Sequence, residues 1–238
     1  MKVLEQLYEG KAKRVFKTDD DNLYMVEYKD DATAFNGQKK GTIAHKGVLN
    51  NKISGWFFKR LAENGVDNHL VEVVDDDHQL VKRVEIVKLE VIIRNIIAGS
   101  MAKRLGLAEG TEISEPIIEF SYKDDDLGDP LINRYHAQAI GVAIKEEIDT
   151  IMAQAFKVND LLSKWLDEAN LILVDFKLEF GRTPDGKIIL ADEISPDTCR
   201  LWDKDTRKKL DKDRFRQDLG DVAEAYVEVW NRLQKLDK

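Results

Sequence analysis

Three charged residues alternate along one strand-like segment in the second half of the chain. Residues 171–180 read LILVDFKLEF, in which Asp175, Lys177 and Glu179 occupy every second position between apolar residues. Because successive side chains of a strand point to opposite faces, these three charges would share one face. The pattern predicts a strand that packs a core on one side and presents two carboxylates and an ammonium on the other.

A turn sequence joins this strand to a second apolar segment that ends at Asp192. If residues 183–186 form a four-residue turn, Lys177 lies opposite Asp192 and Glu179 lies opposite Leu190. Glu179 and Asp192 are then diagonal neighbours, with backbones roughly 7–8 Å apart. Two such carboxylates could hold Mg²⁺, which usually takes one or two carboxylates plus substrate phosphates. A shift of one residue in register would turn Asp192 to the apolar face instead.

The same alternation is also typical of a solvated face on a half-exposed antiparallel strand. The segment after the hairpin favours a ligand site, because Asp197 and Arg200 follow within a loop that contains Pro196. Charged groups gathered beside a strand end, on a loop, are typical of binding sites.

A glycine flanked by lysines lies near the start of the chain. Residues 6–10 and 12–18 are predicted strands, and Gly10, Lys11 and Lys13 lie where they meet. The turn is not a Walker A loop, since that spacing is absent and no helix follows. Protein kinases cover ATP phosphates with a strand, a glycine loop and a strand. An ordinary solvent-facing turn would carry the same residues.

A second anion site is predicted after the strand-like residues 85–93. Arg94 follows this strand, and Gly99 and Ser100 open a short helix. Backbone N–H groups at a helix start favour an anion, Ser100 can cap the helix or donate, and Arg94 can bind a phosphate with two hydrogen bonds. A plain helix cap beside an unrelated arginine is the alternative.

The remaining pattern predicts the elements that position these groups. Helices are expected over residues 43–64, 145–170 and 214–236, and residues 123–133 form a long acidic loop. A boundary between an N-terminal sheet and a larger C-terminal part is expected near residues 80–85.

Composition restricts the class of protein. The chain has 238 residues, 43% of them hydrophobic and 34% charged, which predicts a globular protein. Its net charge of −8 disfavours non-specific binding to nucleic acid. A single cysteine, Cys199, excludes an internal disulfide. No signal peptide and no apolar segment of about 20 residues is present, so we expect a cytoplasmic protein without a membrane partner.

Motifs for covalent catalysis or zinc binding are missing from the sequence. The four histidines form no H-E-x-x-H spacing, and neither a G-x-S-x-G elbow nor a cysteine–histidine pairing is present. The sequence therefore favours chemistry done by positioning, a metal and cations.

Several segments together resemble the phosphoribosylaminoimidazole-succinocarboxamide synthase (SAICAR synthetase) family over nearly the whole chain. They are LVDFKLEFG (173–181), EVIIR (90–94) with AGS (98–100), YEGKAK (8–13), DEISPD (192–197) and RLWD (200–203). The resemblance implies an α+β fold, with a kinase-like antiparallel N-terminal sheet in residues 1–84 and an ATP-grasp-like part in residues 85–238. It implies an ATP-dependent ligase that joins L-aspartate to carboxyaminoimidazole ribonucleotide (CAIR) in purine biosynthesis, giving SAICAR, ADP and phosphate.

The resemblance also implies roles for individual residues. ATP would be bound by Gly10, Lys11, Ala12, Lys13, Val15, Val81, Lys82 and Val84. Mg²⁺ would be held by Glu179 and Asp192. The other substrates would be bound by Arg94, Ser100, Asp129, Asp175, Lys177, Asp197, Arg200 and Arg216. Catalytic roles would fall to Lys123, Asp175 and Lys177.

Two alternatives remain open from the sequence. A small-molecule kinase could use the same ATP scaffold, and a non-catalytic nucleotide-binding protein could keep the glycine–lysine turn. The expected partners are CAIR, L-aspartate and ATP, with no nucleic acid, and a homo-oligomer, preferably a dimer, is expected.

Overall fold

The computed structural model describes residues 1–34 and 37–237, which form an α+β protein with antiparallel sheets. The strands in chain order are β1 (Val3–Glu9), β2 (Lys13–Thr18), β3 (Leu23–Tyr28), β4 (Asp31–Ala34), β5 (Lys39–Thr42), β6 (Leu70–Val73), β7 (His78–Lys82), β8 (Glu85–Ile86), β9 (Leu89–Ile96), β10 (Glu112–Tyr122), β11 (Leu131–Ile132), β12 (Leu171–Arg182), β13 (Ile188–Ala191) and β14 (Cys199–Asp203). The helices are α1 (Lys46–Glu63), α2 (Gly99–Leu105), α3 (Arg134–Ala139), α4 (Lys145–Glu168), α5 (Asp213–Arg216) and α6 (Val222–Leu233).

The first sheet has the spatial order β1-β2-β3-β7-β6, in which β1 to β3 form a meander and all neighbouring strands are antiparallel. The strands predicted over residues 6–10 and 12–18 are confirmed as β1 and β2, and a turn follows Thr18. The Thr18 hydroxyl closes that turn by donating to the carbonyls of Asp20 and Leu23. β1 is an edge strand whose residues are all exposed.

The second sheet has the order β11-β10-β9-β12-β13, and β14 and β8 also pair with β12. The central strand β12 is covered on both faces, so that Phe180 and Glu179, on opposite faces, are both buried. Helices α1, α4 and α6 contribute Phe57, Ile148 and Tyr226 to the main core beside β12. Burial of each such apolar side chain contributes about 1.5–3 kcal/mol.

The hairpin formed by β12 and β13 corrects the predicted register. The turn at residues 183–186 exists, since the Gly186 N–H donates to the Thr183 carbonyl at 2.8 Å. However, Gly186 has φ +85° and adds a bulge residue, so Thr183 pairs with Lys187. Glu179 therefore lies opposite Ala191, and the predicted pairing with Leu190 is wrong by one residue.

The predicted C-terminal helix over residues 214–236 is two helices instead of one. α5 ends at Arg216, and α6 begins at Val222. Between them Asp218, Gly220 and Asp221 have positive φ values, which a helix cannot contain. Helix α6 packs against the core through Tyr226, Val229 and Leu233, which are buried.

The predicted strand over residues 85–93 is interrupted between β8 and β9. The Leu89 N–H donates to the Val87 carbonyl within a tight turn, and Val87 itself bonds to the Phe180 carbonyl. The first sheet ends at Lys82, and Glu85 already pairs with β12. The division into residues 1–84 and 85–238 stays a prediction.

The acidic loop at residues 123–133 is more ordered than predicted, because it contains the 3₁₀ turn Asp125–Leu127 and strand β11. Among the described residues, no helix has the length and apolar character needed to cross a bilayer.

Candidate active site

A cleft of about 1580 Å³ opens between the first sheet and the β9–β12 face of the second sheet. It brings together almost all of the site residues predicted from the sequence. From the first sheet and the turns beside it these are Gly10, Lys11, Ala12, Lys13, Val15, Val81, Lys82 and Val84, and from the rest of the chain Arg94, Lys123, Asp129, Asp175, Lys177, Glu179, Asp192, Asp197, Arg200 and Arg216. Ser100 lies just outside the lining and reaches the cleft through Arg94.

One group of charges in the cleft joins the hairpin to the first sheet. Lys177 Nζ lies 2.5 Å from Glu179 Oε1 and 3.1 Å from Asp192 Oδ2. Lys123, from the acidic loop, donates to the same Glu179 oxygen at 2.6 Å. Lys13, from β2, contacts the other oxygen of Asp192. The buried carboxylate of Glu179 and the half-buried carboxylate of Asp192 thus share three ammonium groups.

The backbone of Asp192 explains how this group forms in spite of the register. Asp192 directly follows the end of β13, and its φ of +59° is left-handed. A continued strand in this register would turn the Asp192 side chain away from Lys177. The left-handed residue ends the strand geometry and turns the carboxylate back into the cleft. The predicted proximity of Glu179 and Asp192 is therefore found, although the predicted reason for it was wrong.

Burial and charge together shift the pKa values of these groups. Burial works to lower the pKa of Lys13, but the carboxylates of Asp192 and Glu193 outweigh it and raise that pKa. Lys177 follows the same rule, since Asp192 and Glu179 raise its pKa well above the ordinary value in spite of burial. Burial opposes ionisation of Asp192, yet Lys13 and Lys177 lower its pKa. These groups are charged at neutral pH.

Glu90 is an acid of this group to which the sequence assigned no role. It lies 3.6 Å from Lys177 Nζ, and burial raises the pKa of its carboxyl above the ordinary value. The only signal in the sequence was its position at the start of the EVIIR segment.

The donor set suits a hard divalent cation. The Lys177 ammonium already places one positive charge against oxygens of both Glu179 and Asp192. Carboxylate oxygens are the protein ligands that Mg²⁺ prefers, and two of them leave coordination positions for phosphate and water. Within residues 1–34 and 37–237, the three-residue group with metal-ligand spacing is elsewhere, at Asp75, Asp77 and His78 on the surface.

A second group of charges surrounds Asp175, two residues before Lys177 on β12. Asp175 accepts from Arg94 Nη1 at 2.7 Å and from Arg200 Nη1 at 2.8 Å. Burial raises the pKa of Asp175, although both arginines oppose the rise. Acids behind the arginines orient them, because Glu119 accepts from Arg94 and Asp213 accepts from Arg200.

Ser100 belongs to this arginine group, and of the two roles that the sequence left open, capping α2 is not the one found. Helix α2 begins at Gly99 after Ala98, whose side chain makes no capping hydrogen bond. The Ser100 hydroxyl instead accepts from Arg94 Nη2 at 3.4 Å and from Arg104 Nη1 at 3.4 Å.

Gly99 allows Arg200 to approach the backbone here. Its φ is +55°, and a Cβ at this position would lie 2.4 Å from Arg200 Nη2. A side chain larger than hydrogen would displace the guanidinium. Gly99 therefore determines where Arg200 lies relative to Arg94.

Asp197 is held from three directions at the base of the cleft. Lys46 at the start of α1 donates to Oδ2 at 2.9 Å, and Tyr226 of α6 donates to Oδ1 at 2.7 Å. Lys212 Nζ lies 3.7 Å from Oδ2. Lys46 and Lys212 lower the pKa of Asp197 in spite of its burial. No sequence pattern marked Lys46, because an isolated lysine at a helix start is usually exposed.

The remaining predicted residues have more local partners. Lys11 reaches across the cleft mouth to Asp125 at 2.8 Å. Arg216 donates to Asp213 at 2.7 Å, and Asp129 accepts from the Asp124 N–H within its own loop. The ammonium of Lys82 donates to the Asn68 carbonyl at 3.1 Å. Val15 and Val81 form part of an apolar wall together with Val26, Tyr24 and Tyr28.

An antiparallel sheet with a glycine–lysine turn, facing carboxylates and an arginine group on an α+β body, defines a class of enzyme. The class is that of enzymes whose cleft suits phosphate esters and a divalent cation. The family model for SAICAR synthetase matches residues 6–233. The chain belongs to the SAICAR synthetase family.

Individual relatives agree with this membership. A phosphoribosylaminoimidazole-succinocarboxamide synthase of Coprothermobacter proteolyticus is 59% identical over 98% of this chain and 99% of its own. The crystal structure of the enzyme from Ehrlichia chaffeensis has a TM-score of 0.95 at 44% identity, covering 97% of this chain and 98% of its own. A SAICAR synthetase in complex with ADP has a TM-score of 0.93 at 50% identity, covering 96% and 97%.

Proposed function

We propose that this cleft joins L-aspartate to the carboxylate of CAIR with the hydrolysis of ATP, forming SAICAR, ADP and phosphate. The observation that carries the proposal is the convergence of Lys13, Lys177, Glu179 and Asp192 beside the pair of Arg94 and Arg200. A nucleotide phosphate chain needs the first set, and a ribonucleotide 5′-phosphate suits the second. The solved relative that contains ADP supports nucleotide binding in this fold.

ATP would lie along the first sheet with its phosphates under the glycine–lysine turn. Gly10, Lys11, Ala12 and Lys13 would cover the phosphates, and Val15, Val81, Lys82 and Val84 would surround the adenosine. Glu179 and Asp192 would hold Mg²⁺. The bound ion would supply charge neutralisation on the phosphate oxygens. The apolar wall around Val15 and Val81 supports this orientation, because an adenine ring gains from apolar contact.

CAIR would bind across β12 with its 5′-phosphate at the arginine group. Arg94, Ser100 and Arg200 would bind that phosphate. Asp175 and Lys177 would contact the amine and the carboxylate of the imidazole. Asp175 and Lys177 are two residues apart on β12, so their side chains lie on the same face of the strand. Contact with one bound substrate requires this. Further contacts to the substrates would come from Lys123, Asp129, Asp197 and Arg216.

The chemistry follows from the low reactivity of a carboxylate. A carboxylate oxygen of CAIR attacks the γ-phosphorus of ATP, and ADP leaves, which gives an acyl phosphate. The amine of L-aspartate then attacks the acyl carbon, loses a proton and expels phosphate, so the amide bond forms. Lys13, Lys123 and Lys177 would hold the reacting oxygens in line and oppose their negative charge. No protein nucleophile is required.

An assay of ADP release tests the proposal, with L-aspartate and CAIR each left out in turn. The expected result is Mg·ATP-dependent ADP release that needs CAIR, together with SAICAR formation that needs both substrates. If ADP release needs neither L-aspartate nor CAIR and is matched by phosphorylation of another acceptor, the protein is a small-molecule kinase. No turnover with any acceptor would favour a non-catalytic nucleotide-binding protein.

The division into two subdomains and a homodimeric state are also proposed. The change of sheet between Lys82 and Glu85 supports the division at residues 84 and 85. The exposed apolar residues of edge strand β1, among them Val3 and Leu7, support self-association. Light scattering after size-exclusion chromatography tests the second point, and a mass of 27.3 kDa, that of a single chain, would contradict it.

A further inference from the structure

Two consecutive carboxylates face one lysine in the cleft. Lys13 contacts Asp192, and its Nζ also lies 3.2 Å from Glu193 Oε1. Consecutive residues of a regular strand would point to opposite faces. The left-handed φ of +59° at Asp192 removes that alternation, so Asp192 and Glu193 converge on Lys13.

The two carboxylates differ in what else they contact. Asp192 is shared, because its Oδ2 contacts Lys177. Glu193 has no second lysine within salt-bridge distance among the described residues. Its Oε2 accepts from the Ser195 hydroxyl at 2.6 Å, and its side chain is 4% exposed. Both carboxylates line the cleft, but Asp192 also contacts Lys177 of the candidate metal site, whereas Glu193 is almost completely buried.

The backbone beside Glu193 is fixed by helix α1. The Ile194 N–H donates to the Ser54 hydroxyl at 3.2 Å, and the Asp197 N–H donates to the Ser195 hydroxyl at 3.1 Å. The first bond connects the segment to α1, the second closes a turn within the segment, and Ile194 is completely buried in the main core. Glu193 is therefore a rigid anchor for a lysine on the opposite side of the cleft.

We propose that Glu193 is the positioning residue for Lys13. The inference rests on the proposed function, in which Asp192 holds Mg²⁺ and Lys13 covers the ATP phosphates. Once Asp192 is a metal ligand, its negative charge is shared with the ion. Glu193 is then the carboxylate that keeps the Lys13 ammonium directed at the phosphates. Two carboxylates therefore contact Lys13 because each has its own role: Asp192 holds the metal ion and Glu193 orients the ammonium.

The test compares ADP binding to Glu193→Gln and wild type by calorimetry, once with Mg²⁺ and once with EDTA. In Mg²⁺ we expect the variant to lose about 10- to 100-fold in affinity, the range for residues that orient ligand-binding groups. In EDTA Asp192 still holds Lys13, so the loss should be several-fold smaller. Glu193→Asp keeps the carboxylate on a side chain that is one methylene shorter, so it should recover part of the affinity for ADP.

Lys13→Ala and the double variant complete the experiment. If Glu193 acts through Lys13, the double variant binds ADP no more weakly than Lys13→Ala alone. In turnover, Glu193→Gln should raise the KM for ATP and leave the KM values for CAIR and L-aspartate within about twofold of wild type. Glu27→Gln is the matched control, because it removes one of the two carboxylate partners of neighbouring Arg14, and neither Glu27 nor Arg14 lines the cleft.

Three results would overturn the proposal. Equal losses of ADP affinity in Mg²⁺ and EDTA would indicate a general structural role for Glu193. Additive effects in the double variant would separate Glu193 from Lys13. Loss of Mg²⁺ dependence in Glu193→Gln would make Glu193 a metal ligand. Failure of the proposed reaction is a separate outcome, seen as wild-type protein that binds ADP without forming SAICAR.

Discussion

Lys177 Nζ lies 2.5 Å from Glu179 Oε1, two residues further along the same strand. In this intrastrand pair Glu179 is buried and Lys177 is half-buried, and Lys123 and Asp192 extend the pair within the cleft. Removing one member of a buried charge group leaves its partners uncompensated. Substitutions here should therefore affect ligand binding and charge balance together, and the predictions below separate these effects.

Glu179→Gln should keep the fold and lower kcat about 100-fold or more, the usual effect of removing one electrostatic contact to the reacting groups. The Mg²⁺ concentration needed for half-maximal rate should rise, because the amide is a weaker ligand than the carboxylate. Steady-state rates over a Mg²⁺ titration measure both effects. Near-wild-type activity would remove Glu179 from the metal site.

Arg94→Ala should mainly raise the KM for CAIR, by roughly 10- to 100-fold, as expected for losing hydrogen bonds to a charged phosphate. The matched control is Arg104→Ala, because Arg104 also contacts Glu119 and Ser100 but does not line the cleft. That control should change the KM for CAIR only slightly. An unchanged KM in Arg94→Ala would exclude the phosphate assignment.

Gly99→Ala should displace Arg200 and raise the KM for CAIR, because the new Cβ would lie 2.4 Å from Arg200 Nη2. Positive φ alone costs an L-residue about 1–3 kcal/mol. Gly106→Ala isolates that cost, since Gly106 has φ +64° and no atom within 4 Å of its Cβ position. Both variants should lose stability in thermal unfolding, but only Gly99→Ala should alter the KM for CAIR. Equal KM values in the two variants would contradict the contact.

The contribution of Asp211 to the stability of wild type should fall as pH rises from about 4 to about 7. Burial, reinforced by Asp213, raises the pKa of Asp211 to about 7. An unfolded aspartate titrates near about 3.9, so the folded state holds one more proton across this window. The unfolding free energy due to Asp211 then decreases by up to about 1.4 kcal/mol per pH unit.

Asp211→Asn removes this contribution, which makes the comparison diagnostic. Asp211 accepts from the N–H groups of Leu201 and Asp213, and asparagine keeps one acceptor oxygen. We therefore expect Asp211→Asn to lose a pH-independent amount of unfolding free energy. In addition, the unfolding free energy of wild type should fall relative to that of the variant as pH rises from about 4 to about 7. Denaturant unfolding at pH 5 and pH 8 measures this shift. If the unfolding free energies of wild type and variant change equally between pH 5 and pH 8, the pKa of Asp211 lies near its ordinary value.

Much of the local structure was predictable from pattern. The meander of β1 to β3, helix α1 and helix α4 follow from periodicity and turn residues, because neighbouring residues determine these preferences. The C-terminal helix was predicted too long, because Gly220 and the flanking aspartates adopt positive φ within an otherwise helical pattern. The charged face of β12 was also predicted, since alternation is a local property.

The contacts of the cleft required the tertiary structure. Lys13 and Asp192 are 179 residues apart in sequence, and Lys46 and Asp197 are 151 residues apart. No local pattern shows which distant charges meet, so Lys46 and the contact of Glu193 with Lys13 were missed. Motif resemblance supplied the residues of the site, but not the pairs that they form.

The sequence alone determined the strand with Asp175, Lys177 and Glu179, and it determined the turn at residues 183–186. Only the tertiary structure decided how that hairpin pairs. Gly186 in the left-handed region shifts the register by one residue, and left-handed Asp192 returns its carboxylate to Lys177. Side-chain direction in a strand reverses with every residue, so the positive φ angles of Gly186 and Asp192 determine which side chains enter the cleft. Glycine and aspartate adopt such angles at little cost.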